Sequence, residues 1–190
     1  MYSAGDSYSF DDGSVDTVIA ASDRAVQWRN VSGARFETTR DVLLPPVAWA
    51  DATMRGRRSF SASADALFPL RPDGGETLNA GVTEQANSGG LTMGGHEHWQ
   101  CQVGGAQILP TAVGRFDTVR VDCAVTGMAG GQYAKRSFFY APSIGYYVRR
   151  IDRIGDAPPH RADLVGWTDG NPPLRDSALQ QRVAAIQRAL

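Results

Sequence analysis

Two segments of this chain fit each other strand to strand: His98-Trp-Gln-Cys-Gln-Val103 and Val119-Arg-Val-Asp-Cys-Ala-Val125. Each carries one of the only two cysteines. An antiparallel hairpin centred on Ala112 sets Cys101 opposite Cys123, Trp99 opposite Val125 and Val103 opposite Val121. Alternate residues of a strand share a face, so the sulfurs lie with Trp99, Val103, Val119 and Val121 on the apolar side. The geometry predicts a cross-strand disulfide, worth about 3 kcal/mol for a loop of this size. With it come a β scaffold and an oxidising compartment. Two buried free thiols are the alternative for a cytosolic protein. A bulge at Gly104-Gly105 would shift the register by one residue and separate the cysteines. There is no Cys-x-x-Cys and no activating neighbour, so the pair reads as a structural staple and not a redox centre.

Period-two patterning continues along the chain. Tyr8 and Phe10 alternate with serines, and Asp12-Gly13 is a hairpin signal. Val15 to Ala21, Val26 with Trp28, and Arg35 to Thr39 complete a four-strand meander over residues 5–39. Pro45-Pro46 marks a strand end or edge crossing, because proline cannot donate to a ladder. Further strands are expected at 54–62, 77–85, 132–141 and 146–153, with a short final one at 164–167. Residues 63–75 are the best candidate linker in what otherwise reads as one β-rich domain over 1–190. Only the C-terminus has helical periodicity. Ser177 and Gln180 have capping-box spacing, and Leu179, Val183, Ile186 and Leu190 form one stripe. A helix over about 177–190 is therefore expected to close an open face of the sheet.

A chain of 190 residues with 42% hydrophobic and 21% charged content is an ordinary globular protein. Its net charge of -1 provides no overall field that would attract nucleic acid or an anionic membrane. Lys135 is the only lysine, and every other cation is arginine. No apolar run approaches the length of a membrane span. Met1-Tyr-Ser-Ala-Gly5 lacks the basic and apolar regions of a signal peptide. Taken alone that start suggests cytosol; the cysteine geometry favours a mature domain whose leader has been removed.

The candidate chemistry is sparse. His96 and His98 share a strand face and are positioned to reach one metal ion, but the spacing supplies no third ligand. Arg149, Arg150 and Arg153, with Tyr140 and Tyr147 nearby, form a candidate anion or glycan contact. The plain alternative is a solvated edge strand guarded by arginines. Phe138 and Tyr140 share one face of their strand, Phe139 and Tyr133 the other, so that strand is covered on both sides. No nucleophile elbow, zinc-protease motif or phosphate loop is present, and neither catalytic residues nor a cofactor is expected.

Gly114-Arg-Phe-Asp-Thr-Val-Arg-Val121 followed by Phe139-Tyr-Ala-Pro-Ser-Ile-Gly-Tyr-Tyr-Val148 resembles proteobacterial periplasmic proteins of unknown function. These are similar to the lipoprotein-carrier half-barrels. The resemblance spans about residues 110–153. It implies a strongly curved antiparallel sheet, an open half-barrel with a helix against its concave face, and an envelope location, periplasmic or secreted. It brings no catalytic residues. The reading is a non-enzymatic envelope binding or scaffold domain for a lipid, glycan or protein. The alternatives are a half-barrel carrier of an apolar ligand and a metal-dependent enzyme using His96 and His98.

Overall fold

A computed structural model describes residues 2–40, 42–61, 67–127 and 132–170. The strands are β1 (Ser7–Phe10), β2 (Val15–Ala21), β3 (Ala25–Asn30), β4 (Arg35–Thr39), β5 (Ala48–Ala50), β6 (Met54–Phe60), β7 (Gly75–Ala86), β8 (Met93–Thr111), β9 (Gly114–Thr126), β10 (Gln132–Ala141), β11 (Tyr146–Ile154) and β12 (His160–Thr168). Each pairs antiparallel with its neighbours in sequence, and β1 pairs with β12, so the meander closes into a barrel. The expected mainly-β antiparallel architecture is present. The open half-barrel is not. The seam runs Ser7↔Thr168 to Phe10↔Leu164 and is prolonged by two bonds. Asp11 N–H donates to the Asp163 carbonyl (2.9 Å), and Asp163 N–H donates to the Asp11 carboxylate (2.8 Å). Closure is possible because the last strand is nine residues long and not the short piece expected. Its alternation of buried Ala162 and Leu164 with half-buried Asp163 and Val165 gives it a full inward face. Closing the sheet removes the edge a helix would have had to cover. Among the described residues there is no helix; the expected helix at 177–190 lies outside them. So do residues 62–66 of the candidate linker. Leu67 is buried and Leu70 packs against the core.

The β8–β9 hairpin explains the cysteines. Its turn is Ala112–Val113, and from Thr111↔Gly114 to Ala106↔Val119 the register would bring Cys101 opposite Ala124. An extra β8 residue between Val103 and Ala106 then shifts the pairing, giving Val103↔Val121, Cys101↔Cys123 and Trp99↔Val125. The glycine bulge is therefore where it was expected, but its effect is the reverse of the expected one: it aligns the cysteines. Cys101 and Cys123 are disulfide-bonded with Cα atoms 4.0 Å apart, and each is 2% exposed.

Large rings fill one side of the interior. Tyr8 stacks on Tyr146 (centroids 4.1 Å apart), Tyr146 on Tyr147 (4.4 Å) and Tyr147 on Phe10 (5.2 Å). Trp28 lies against Tyr146 and donates its indole N–H to Thr38 Oγ1 (3.0 Å). A closed barrel of twelve strands is wider than one filled by apolar side chains alone, and charged groups occupy the rest. Arg58 Nε–H donates to Glu97 Oε2 (2.8 Å), as does the Trp99 indole N–H (2.8 Å), while Tyr133 O–H donates to Oε1 (3.1 Å). Burial pushes the Glu97 carboxyl up, but these bonds outweigh it and hold the group below the usual carboxylate range. The Arg58 guanidinium also lies over Trp49, 4.8 Å from the ring centroid. That ring in turn occupies the space above Gly56, where an added Cβ would collide with Trp49 Cζ2. A second inward group joins Arg136 and Arg150 to Asp152, with Arg150 also donating to Tyr147 Oη (3.2 Å). Nearby, Tyr146 O–H donates to Asp16 (3.1 Å). Burial raises the Asp16 carboxyl, and that hydrogen bond lowers it only in part.

Candidate functional site

Ion pairing differs between two walls of the barrel. Arg120, Arg136, Arg149, Arg150 and Arg161, all on β9–β12, are ion-paired. On the opposite wall the register Arg29↔Arg35, Arg35↔Ala50 and Ala50↔Arg55 lines up outward-facing arginines, with Arg57 two residues further along β6. Among the described residues none of these four has an ion-pair partner, and all four are exposed. Arg55 donates to the neutral Gln85 Oε1 (2.7 Å). Glu37, the nearest outward carboxylate in these rows, accepts from Gln27 Nε2 (3.3 Å). Like charges directly opposite one another cost stability, and among the described residues no carboxylate is ion-paired with Arg29 or Arg35.

Arg35, Arg55 and Arg57 flank a groove of about 500 Å³ that crosses β2–β7 on the outer wall. One side is the row Gln27, Glu37, Arg57 and Thr83; the other is Arg35, Arg55 and Gln85. Ala48 and Ala50 leave the floor low, and Ile19, displaced by a bulge in β2, stands exposed at one end. A second depression of about 670 Å³ shares Glu37, Ala48, Arg57 and Thr83 and continues to Ser59, Gly81, Gly94, Gly95 and His96. Glycines inside strands leave backbone open to close approach; nothing lies within 4 Å of a Cβ built on Gly95. The arrangement suits electrostatic capture of an anionic group above an apolar floor.

The residues singled out from sequence are distributed around the molecule. His96 borders the second depression, and His98, two residues on, bonds through Nδ1 to Asn79 Oδ1 (2.8 Å). Both are exposed, and among the described residues no group of three His, Cys, Asp or Glu side chains is placed to hold a metal. Arg149, Arg150 and Arg153 do not converge. Arg149 faces outward and holds Asp163 through Nε (2.5 Å) and Nη2 (2.8 Å), Arg150 faces inward, and Arg153 is exposed. A bulge at the Phe139/Tyr140 step inserts Val148, which puts Tyr147 on the inward face with Arg150. The outward Phe139 is nonetheless buried, beneath the guanidinium groups of Arg120 and Arg149 (5.8 and 5.7 Å from the ring). Tyr140 meets Phe68 and lines a cavity of about 730 Å³ at the end of the barrel beside Tyr2, Tyr8 and Trp167.

Arg35, Arg55, Arg57 and the inward Glu97 were not among the expected functional residues. The signal for them lies in Arg55-Gly-Arg-Arg58, where alternation sends Arg55 and Arg57 out and Arg58 in. It lies also in Glu97-His-Trp99, where the carboxylate shares the face of the core tryptophan.

No protein-family model matches the chain, and neither does any curated protein. Among solved structures the fold is similar to that of a hypothetical lipoprotein, YmcC, from Escherichia coli K12. The TM-score is 0.54 at 10% sequence identity, over 85% of this chain and 82% of that one. At that identity the likeness is one of fold.

Proposed function

We propose that this chain is a non-enzymatic binding domain of the cell envelope that receives its partner on the outer wall formed by β2–β8. The observation that carries the reading is the groove of about 500 Å³ lined by Arg35, Arg55 and Arg57, none of them ion-paired among the described residues. Two further features support it. A fully buried disulfide belongs with oxidising compartments, and the similar solved fold carries the description of a lipoprotein. A photo-crosslinking residue at Ala50, on the groove floor, tests the proposal in chain exported to the periplasm. The expected result is an adduct at that position and none with the same residue at Lys135 on the far wall. Absence of any adduct at position 50 sinks the proposal. The second reading, a carrier of an apolar ligand, rests on the cavity of about 730 Å³ at the barrel end. It predicts an adduct from position 140 that extracts into organic solvent.

A further inference from the structure

We infer that the β2–β8 wall docks the protein on an anionic lipid bilayer, the arginines meeting lipid phosphates and exposed apolar side chains entering the interface. The inference rests on the proposed binding wall and names its partner. The first observation is charge: among the described residues Arg29, Arg35, Arg55 and Arg57 stand together without ion pairs, against Glu37 in the same rows and Glu84 at the groove. The second is apolar exposure on the same wall. Val31 (56% exposed) is in the turn joining Arg29 to Arg35, while Leu91 (91%) and Met93 (58%) flank Thr92, which lines the groove with Arg35 and Arg55. Ile19 lines it too. The turn after β7 leans on the turn after β5, where Asn87 N–H donates to the Thr53 carbonyl (2.8 Å) and its side chain to the Asp51 carbonyl (2.9 Å). Basic side chains interleaved with exposed aliphatic ones are what an interface with headgroups above and acyl chains below selects. A soluble acidic partner would account for the arginines but not for Leu91.

The test is flotation of the full chain with vesicles of phosphatidylcholine alone and with phosphatidylglycerol added. Binding is expected only to the mixed vesicles and should weaken as salt rises. Each arginine near the surface contributes about fivefold, so Arg35→Glu with Arg57→Glu should lower binding by more than about twentyfold. Val31→Ser with Leu91→Ser should also lower it, while Arg153→Glu on the opposite wall should leave it unchanged. An unchanged urea midpoint establishes that each variant is folded. Equal binding to both vesicle types overturns the inference, as does equal sensitivity to Arg153→Glu. Binding of soluble short-chain phosphatidylglycerol as tight as that of vesicles overturns the bilayer in favour of a single-molecule site. If vesicle binding fails while the Ala50 adduct persists, the docking inference falls and the binding wall stands.

Discussion

Replacing Glu97 by glutamine removes one charge from the barrel interior and almost no volume. In the native protein the carboxylate takes two hydrogen bonds from Arg58, at 2.8 and 3.2 Å, and one each from Trp99 and Tyr133. The Arg58 and Glu97 side chains are 11% and 15% exposed. Glutamine with its oxygen at the Oε2 position keeps an acceptor for the indole and for Arg58 Nε–H, but it removes the opposing charge and puts an NH2 donor where Arg58 Nη2–H and Tyr133 O–H donate. Removing one partner of a buried pair typically costs 3–5 kcal/mol; residual exposure places this pair at the lower end, about 3 kcal/mol. Arg58→Met should cost a similar amount, roughly 3 kcal/mol on the same basis. If the groups act as a pair, the double variant should fall short of the sum by about 2 kcal/mol. Urea unfolding followed by tryptophan fluorescence measures all three. The sign of the pH dependence is fixed by the direction of the shift. A carboxyl held below its unfolded value stabilises above that value, and the contribution is lost as pH falls through the folded one. The wild-type and Glu97→Gln curves should therefore converge in acid. A single-variant cost under about 1 kcal/mol, or additivity within about 0.5 kcal/mol, would refute the reasoning.

Two other perturbations follow from single features of the barrel. Breaking the disulfide, by Cys101→Ala with Cys123→Ala or by reducing unfolded protein before refolding, opens a loop spanning 22 residues of sequence separation. It should cost about 3 kcal/mol and lower Tm by roughly 6–12 °C in calorimetry; a shift within scan error refutes the staple. The Asp163 carboxyl is held down at about 2 against burial by Arg149 and Arg161. It stabilises above the ordinary carboxyl value, and that contribution is lost as pH falls toward 2. Because Arg161 is exposed, solvent screening limits the effect to on the order of 1 kcal/mol. Asp163→Asn should show that loss at neutral pH and only a small remainder of it at pH 2, where the native carboxyl is half protonated, by urea midpoints at both.

Much of this architecture was legible from alternation alone. The four-strand start, the β10–β11 pair and the face shared by Cys101, Cys123 and Trp99 need only the two-residue period. The bulges were harder, because a bulge is one residue long and changes every face beyond it. The extra residue near Gly104-Gly105 decides whether the cysteines meet, and Val148 decides which way Tyr147 points. Closure was hidden for another reason. The residues of β12 before Leu164 include His160, Arg161 and Asp163, whose charges made a strand look like a loop. In the structure Asp163 sits at the seam, held by Arg149 and Arg161. The arginine wall was hidden by scatter. Arg29, Arg35 and Arg55 come from three strands, and only the register sets them side by side.

That division of the arginines yields a sharper experiment than charge removal. Guanidinium and ammonium carry the same charge, but only guanidinium presents a planar fork. Inside the barrel Arg58 uses that fork, bonding both Glu97 oxygens and the Pro46 carbonyl with its guanidinium over the Trp49 ring. Lysine at position 58 keeps the charge but cannot reproduce the bidentate or stacked geometry, so Arg58→Lys should destabilise by about 1–2 kcal/mol, the scale of a charge-assisted hydrogen bond. On the outer wall the inferred role of Arg35 and Arg57 is attraction to a charged surface, for which a point charge suffices. Arg35→Lys with Arg57→Lys should leave both urea midpoint and vesicle binding unchanged. If those lysine variants lose binding as the glutamates do, the wall recognises the geometry of a particular anion and not the potential of a surface. If Arg58→Lys is neutral, the interior pair is held by charge alone, and the barrel tolerates at that position what its strict use of arginine suggests it should not.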